Sequence, residues 1–144
     1  MDKTEPTRTM AKIRILIVDD LEHVRQGLRT LLQLTDDLEV VGEATNGLEA
    51  IQLAERLEPD VVLMDLEMPQ LDGLEATQRI KDRHPGIGVV MITIYDNPGN
   101  RERAASVGAD AFVEKGIAFE MLLDTIRQVG KEETHDNPSD GQTG

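Results

Sequence analysis

Short apolar runs that end in acidic residues constrain the fold of this chain more than any other feature. The run 15–18 is followed by Asp19 and Asp20, and the run 61–64 is followed by Asp65. An uninterrupted apolar run of this length is typical of a parallel strand that helices cover on both faces. Because ligands of open α/β sheets bind at the carboxyl ends of strands, the three acids are predicted to share one small site. Carboxylates this close repel one another, which favours a hard divalent cation with oxygen ligands.

Apolar residues alternate between short runs and stripes at helical spacing along the middle of the chain. The predicted strands are 13–18, 38–43, 61–64, 88–93 and 110–113. The predicted helices cover about 22–34, 48–57, 74–80, 98–108 and 117–129. Asn46-Gly47 and Asp72-Gly73 read as turns before helices, with Asp72-Gly73 given a structural role as turn and cap. Strands alternating with helices predict an α/β fold with a five-stranded parallel sheet and right-handed crossovers.

Length, composition and charge limit the function classes. The 144 residues suggest one domain, and the absence of cysteine excludes disulfides and thiolate zinc sites. The net charge is −13, of which residues 13–130 carry −11, so the predicted folded part is acidic. Nucleic-acid binding needs a positive footprint, and this charge argues against it. No apolar stretch approaches the length of a membrane span, and the N-terminus lacks a signal peptide, so a cytoplasmic protein is expected.

The two ends of the chain are polar and carry no helical stripe or strand run. Residues 1–11 are therefore predicted to be a flexible N-terminus and residues 131–144 a flexible acidic tail. The predicted domain covers 12–130.

Chemically useful residues follow the predicted strands in a fixed order. The acidic pair follows the first strand, and Asp-x-x-Met-Pro-x-x-Asp-Gly begins at Asp65 after the third. Thr93 ends the fourth strand, and Lys115 follows the fifth. This ordered set closely resembles the receiver domain of bacterial response regulators over about residues 12–130. The helix sequence at 24–32 resembles the NarL/FixJ subgroup in particular. The resemblance implies a doubly wound, flavodoxin-like (βα)5 receiver fold.

The resemblance also implies a role for each site residue. Asp65 would accept a phosphoryl group from the phosphohistidine of a sensor histidine kinase. Mg²⁺ would be bound directly by Asp20 and Asp65, through water by Asp19, and by the backbone carbonyl of Glu67. Lys115 would place a positive charge on the phosphoryl group.

The same resemblance implies a switch. Thr93 would donate its hydroxyl to the phosphoryl group, and Phe112 would be the switch aromatic that rotates inward; the other interpretation is that Phe112 is simply a core residue. Glu67 and Tyr95 occupy positions that tune phosphoryl lifetime in this family. Ile94 stands where the family often has a small residue, so a bulkier neighbour is expected beside the site.

The predicted function is a phosphorylation-switched signalling module that catalyses its own phosphorylation and dephosphorylation but converts no separate substrate. Its expected partners are the kinase and a downstream protein, with homodimerisation on phosphorylation a further possibility and no membrane contact. Output would pass through protein contacts or an effector domain in a longer regulator.

Three other functions are less consistent with the sequence. A Mg²⁺-dependent aspartyl phosphatase is disfavoured because Leu21 stands where such enzymes place a second acid. A phosphorylation-independent interaction module is disfavoured because the acids, Thr93 and Lys115 are all present. A flavin-binding protein is disfavoured because the first strand–helix turn is acidic.

Overall fold

Five parallel strands form one sheet in the computed structural model, which describes residues 11–68 and 72–130. The strands are β1 (Ile13–Val18), β2 (Leu38–Ala44), β3 (Val61–Asp65), β4 (Gly88–Thr93) and β5 (Ala111–Glu114). Their order across the sheet is β2-β1-β3-β4-β5. The predicted five-stranded parallel sheet is confirmed, and the predicted strand ends are correct to within one residue.

Helices connect the strands and cover the sheet. They are α1 (Glu22–Leu32), α2 (Gly47–Leu57), α3 (Gly73–Arg83), α4 (Pro98–Ser106) and α5 (119–130). Three of them begin at a side-chain cap, and the cap predicted at Asp72 is confirmed. Asn46 accepts a hydrogen bond from the Glu49 amide at 2.8 Å, and Asp72 accepts one from the Glu75 amide at 2.9 Å. Asn97 caps α4 in the same way.

Each face of the sheet has its own apolar core. In β1, Leu16 and Val18 lie in one core, whereas Ile15 and Ile17 lie in the other. The first core takes its helical side chains from α2, α3 and α4, and the second from α1 and α5. Burying each large aliphatic side chain contributes about 1.5–3 kcal/mol. Helices on both faces confirm the doubly wound (βα)5 arrangement.

A few predicted boundaries were wrong. The first helix ends at Leu32 rather than near Leu34, whose side chain is 75% exposed and gains nothing from helical packing. Ile117 lies in the turn before α5 rather than within that helix. The fourth helix ends at Ser106, because Gly108 has a φ of +94° that ends regular helix.

Some sequence predictions concern residues outside the described ranges. These are the predicted flexibility of residues 1–10 and 131–144, and positions 69–71 of the motif that begins at Asp65, where Pro69 is predicted to shape the loop. Within the described ranges, no helix is both long and apolar enough to cross a membrane.

Candidate functional site

The predicted site lies at the topological switch point, where the order of successive strands reverses between β1 and β3. The chain leaves β1 to form β2 on one side and then returns to form β3 on the other. A crevice opens beyond the carboxyl ends of strands at such a point, and ligands of doubly wound folds bind there. Asp19 and Asp65 stand at the ends of these two neighbouring strands.

The structure brings the three predicted acids together. Asp19, Asp20 and Asp65 each offer a carboxylate oxygen, and these oxygens lie within 4.8 Å of one another. Asp19 and Asp65 are each only 3% exposed, whereas Asp20 is open to solvent. The Leu21 amide donates to Asp19 at 2.9 Å, which orients that carboxylate. A set of oxygen donors at this spacing fits a hard cation such as Mg²⁺.

Lys115 supplies the positive charge at this cluster. Its ammonium lies 3.2 Å from a carboxylate oxygen of Asp19 and 3.4 Å from one of Asp65. The backbone amide of Lys115 donates to the carbonyl of Thr93 at 2.8 Å, which fixes where the side chain starts. Burial alone would lower the pKa of Lys115, but the charges of Asp65 and Asp19 outweigh it and raise that pKa. Lys115 is therefore a permanent cation.

The surroundings of Asp65 strongly raise the pKa of its carboxyl group. Desolvation by burial and the neighbouring charge of Asp19 raise its pKa to about 7, with Lys115 opposing and Glu67 adding to the shift. A buried carboxylate whose charge is this costly gains most from a cation or from conversion to an ester.

Thr93 and Glu67 lie side by side at the rim of the cluster. Thr93 is fully buried, and its hydroxyl donates a hydrogen bond to Oε2 of Glu67. The same hydroxyl oxygen accepts the Tyr95 amide at 2.9 Å. The other carboxylate oxygen of Glu67, Oε1, is buried and has no hydrogen-bond partner among the described residues. The Glu67 amide in turn lies 3.3 Å from Oδ1 of Asp65 as a donor.

The remaining predicted site residues lie further out. Ile94 and Tyr95 follow β4 and are 54% and 57% exposed. Phe112 is half-buried on β5, where it packs against the core that α2, α3 and α4 share. The guanidinium carbon of Arg101 lies 5.0 Å from the centre of the Phe112 ring, and Arg101 also pairs with Asp96 at 2.6 Å.

Three contacts at the site were missed by sequence reasoning. Arg101 covers Phe112, and Arg25 donates to the backbone carbonyl of Asp19 at 2.8 Å. Gly73 packs so closely that a Cβ atom there would lie 2.3 Å from the carbonyl oxygen of Asp65. The glycine beside Asp72 was visible as a turn, but nothing in the sequence signalled its approach to Asp65. Arg25 and Arg101 carried no signal either.

A cavity of about 310 Å³ extends from the acidic cluster between α1 and α5. Asp19, Asp65 and Lys115 form its polar end, and mostly apolar side chains of the strands, α1 and α5 line the rest. This cavity and the open side at Asp20 leave room for a group of phosphoryl size beside Asp65.

The doubly wound fold and its three carboxylates beyond β1 and β3 define a class of α/β domains with an acidic site at the carboxyl ends of the strands. Within that class, residues 15–127 match the response regulator receiver domain, and the chain belongs to this family. The receiver identity inferred from the ordered acids, Thr93 and Lys115 is thereby confirmed.

Curated relatives agree with this assignment. The chain is 41% identical over 117 residues to the response regulator GacA of Pseudomonas viridiflava, with 81% of this chain and 55% of GacA covered. It is 40% identical over 122 residues to the response regulator protein VraR of Staphylococcus aureus, with 85% of this chain and 58% of VraR covered. The chain thus spans little more than half the length of these relatives.

Solved structures agree as well. A DNA-binding response regulator of the LuxR family from Staphylococcus aureus superposes with a TM-score of 0.77 at 36% identity, covering 82% of this chain and 98% of that one. The receiver domain of a putative response regulator NarL from Mycobacterium tuberculosis gives a TM-score of 0.81 at 29% identity, covering 84% and 98%. The predicted NarL/FixJ type is confirmed by these likenesses.

Proposed function

We propose that Asp65 accepts a phosphoryl group from a sensor histidine kinase, and that its phosphorylation switches the outer face of the domain. One observation carries this proposal. The Asp65 carboxylate is buried at the topological switch point between β1 and β3. It lies 3.4 Å from the Lys115 ammonium and in the same cluster as Asp19 and Asp20. Phosphoryl transfer to a carboxylate requires a nucleophilic oxygen, carboxylates that bind a metal cation, and a fixed positive charge.

The transfer step follows from this arrangement. A carboxylate oxygen of Asp65 forms a bond to phosphorus while the nitrogen–phosphorus bond of the donor's phosphohistidine breaks. The electron pair returns to the imidazole nitrogen, which takes a proton from solvent. In dephosphorylation, water attacks phosphorus, the acyl oxygen–phosphorus bond breaks, and Asp65 returns to a carboxylate as inorganic phosphate and a proton leave.

The acidic cluster fits Mg²⁺. Asp20 and Asp65 would bind it directly, Asp19 through water, and Glu67 through its backbone carbonyl. The exposed position of Asp20 and the Leu21 amide that already donates to Asp19 support this division. When bound, Mg²⁺ neutralises charge on the transferring phosphoryl oxygens.

Thr93, Lys115 and Phe112 would convert the new charge into a change of surface. Lys115 would hold one phosphoryl oxygen, and the Thr93 hydroxyl would turn to another. Movement of Thr93 would make room for Phe112 to rotate inward, which requires Arg101 to release the ring. The surface formed by α4, β5 and α5 would then shift from one conformation towards a second one.

The wider role is proposed on the same basis. The domain would act in the cytoplasm, catalyse its own phosphorylation and dephosphorylation, and convert no separate substrate. It would bind a sensor histidine kinase and a downstream protein, and phosphorylation would favour a homodimer. An acidic domain of this kind is not expected to contact nucleic acid itself. Glu67, Ile94 and Tyr95 would tune the lifetime of the acyl phosphate.

Intact mass spectrometry tests the proposal. With acetyl phosphate and Mg²⁺, the wild-type protein should gain one phosphoryl group, Asp65→Asn should gain none, and the exposed-acid control Asp82→Asn should behave as wild type. Equal phosphorylation of Asp65→Asn would refute the site. Multiple turnover of a simple phosphate ester would favour the phosphatase alternative instead.

A further inference from the structure

We infer that the Glu67 side chain is an internal stand-in for the phosphoryl group: it holds the Thr93 hydroxyl in the unphosphorylated protein and must release it on phosphorylation. This inference rests on the proposed phosphorylation of Asp65. It makes Glu67 a positioning residue that sets how readily the site is phosphorylated.

The first support is the bonding of Thr93. Its hydroxyl has one proton, and that proton is donated to Oε2 of Glu67. The hydroxyl oxygen also accepts the Tyr95 amide at 2.9 Å, which fixes its orientation. A phosphoryl oxygen on Asp65 would need the same proton. The Glu67 contact and a phosphoryl contact of Thr93 are therefore mutually exclusive.

The second support is the position of Glu67 relative to Asp65. Its amide donates to Oδ1 of Asp65 at 3.3 Å, so the two residues share one tight turn after β3. Asp65 pairs in register with Ile92, and Thr93 follows directly on the neighbouring strand. Glu67 thus contacts the phosphoacceptor through its amide and, through its carboxylate, the hydroxyl that a phosphoryl group would recruit.

The third support is the unbalanced carboxylate itself. Oε1 of Glu67 is buried without a hydrogen-bond partner among the described residues, although it belongs to an anionic group. A buried acceptor left unpaired is costly, and among the described residues the side chain of Glu67 has its hydrogen bond to Thr93 to offset that cost. Once Thr93 turns to a phosphoryl group, the Glu67 carboxylate loses this hydrogen bond. It is then more stable in solvent than buried.

Two substitutions separate this contact from simple charge repulsion. Glu67→Gln removes the charge but keeps an oxygen that can accept the Thr93 hydroxyl, whereas Glu67→Ala removes both. Each is made in the wild type and in the Thr93→Val background, which lacks the hydroxyl. The initial rate of phosphorylation by acetyl phosphate with Mg²⁺ is followed by intact mass.

Glu67→Ala should be phosphorylated roughly tenfold faster than Glu67→Gln when Thr93 is present, the size expected for one hydrogen bond. In the Thr93→Val background the two should agree to within about twofold. Equal rates with Thr93 present would overturn the inference, because charge alone would then explain Glu67. A ratio that persists without the hydroxyl would overturn it too.

A measurement without phosphorylation keeps the two proposals distinguishable. In metal-free protein, the ¹³C shift of the Thr93 methyl group should move in Glu67→Ala and stay near the wild-type value in Glu67→Gln. An unmoved methyl signal in Glu67→Ala would contradict the contact. Wild-type protein that takes up no phosphoryl group would instead refute the proposed function, whatever the methyl signal shows.

Discussion

The ammonium of Lys115 lies 3.4 Å from a carboxylate oxygen of Asp65, although Asp65 ends β3 and Lys115 follows β5, two strands that are not neighbours in the sheet. The long side chain of Lys115 crosses beyond the end of β4 to reach the acid. The pair is mutually stabilising: Asp65 contributes to the raised pKa of Lys115, and Lys115 restrains the rise in the pKa of Asp65.

Replacing Lys115 should therefore make Asp65 a weaker acid. In metal-free Lys115→Met, the pKa of Asp65 should rise above its value of about 7, because burial, Asp19 and Glu67 would act without opposition. The ¹³C resonance of the Asp65 carboxyl group reports this titration. Lys115→Arg is the matched control and should keep the pKa near the wild-type value. An unchanged pKa in the methionine variant would show that Lys115 does not neutralise Asp65.

Burial of Asp65 should cost stability at neutral and alkaline pH. Its pKa is raised from 3.8 to about 7, so the folded protein binds a proton that the unfolded chain has lost. Stability should then fall as pH rises from about 4 to about 7, with the full cost present above that window. Metal-free Asp65→Asn should be more stable than wild type by about 2–4 kcal/mol at pH 8 and nearly equal at pH 4. Urea unfolding in chelator measures the difference.

The outcome that counts against this is a stability gain in Asp65→Asn that does not depend on pH. Asp82→Asn, an exposed acid far from the cluster, controls for the loss of one negative charge and should show no such dependence.

The strands were predictable because helices cover both faces of the sheet. Buried parallel strands must be apolar throughout. Each therefore appears in the sequence as a continuous apolar run, such as 61–64, that can be recognised without knowing the rest of the fold. The acids were predictable for a related reason: they interrupt those runs where the strand reaches the open edge. Strand order was not predicted, because it depends on which side each crossover takes.

Side-chain contacts at the site were beyond the reach of sequence. Glu67 and Thr93 are separated by 26 positions, and their hydrogen bond depends on rotamers and on the register of β3 with β4. The stacking of Arg101 over Phe112 likewise joins two elements through one long, flexible side chain. Periodicity places residues on faces and at strand ends, but it does not choose among rotamers.

Gly73 should be intolerant of any side chain. A Cβ atom there would lie 2.3 Å from the carbonyl oxygen of Asp65, so the start of α3 would have to move away from the phosphoacceptor. Gly73→Ala should lower the free energy of unfolding by at least about 2 kcal/mol. Gly27→Ala is the matched control: it lies in α1 with nothing within 4 Å and should gain up to about 1 kcal/mol. Similar stabilities for the two variants would contradict the close approach.

Mg²⁺ affinity should depend on Asp20 although that residue is exposed. Removing one of three anionic oxygens weakens a site for a hard cation, so Asp20→Asn should bind Mg²⁺ roughly tenfold or more weakly in titration calorimetry. Asp36→Asn removes an equally exposed acid outside the cluster and should leave the affinity unchanged. Wild-type affinity in Asp20→Asn would restrict the metal site to Asp19 and Asp65.

Helix α4 should open more readily than α3, since α4 buries only Asn100 and Ala104 whereas α3 buries four residues including Ile80. Its anchor is the Asn100 side chain, which donates to the carbonyl of Tyr95 at 2.7 Å and so ties the helix to the segment that follows Thr93. Amide hydrogen exchange should therefore be faster in α4 than in α3, and Asn100→Ala should speed it further by roughly tenfold.

Arg79→Ala, which removes an exposed ion pair within α3, is the control for that exchange experiment and should leave α4 unchanged. If α4 were as protected as α3, the helix would be too firmly held to respond to Thr93, and if its exchange were indifferent to Asn100, this contact would not anchor it. Faster exchange confined to α4 in Asn100→Ala would instead show that the bond to the Tyr95 carbonyl holds this helix in place. This contact would give the proposed switch a second route beside Phe112, because the Tyr95 amide donates to the Thr93 hydroxyl and the Tyr95 carbonyl accepts from Asn100 in α4.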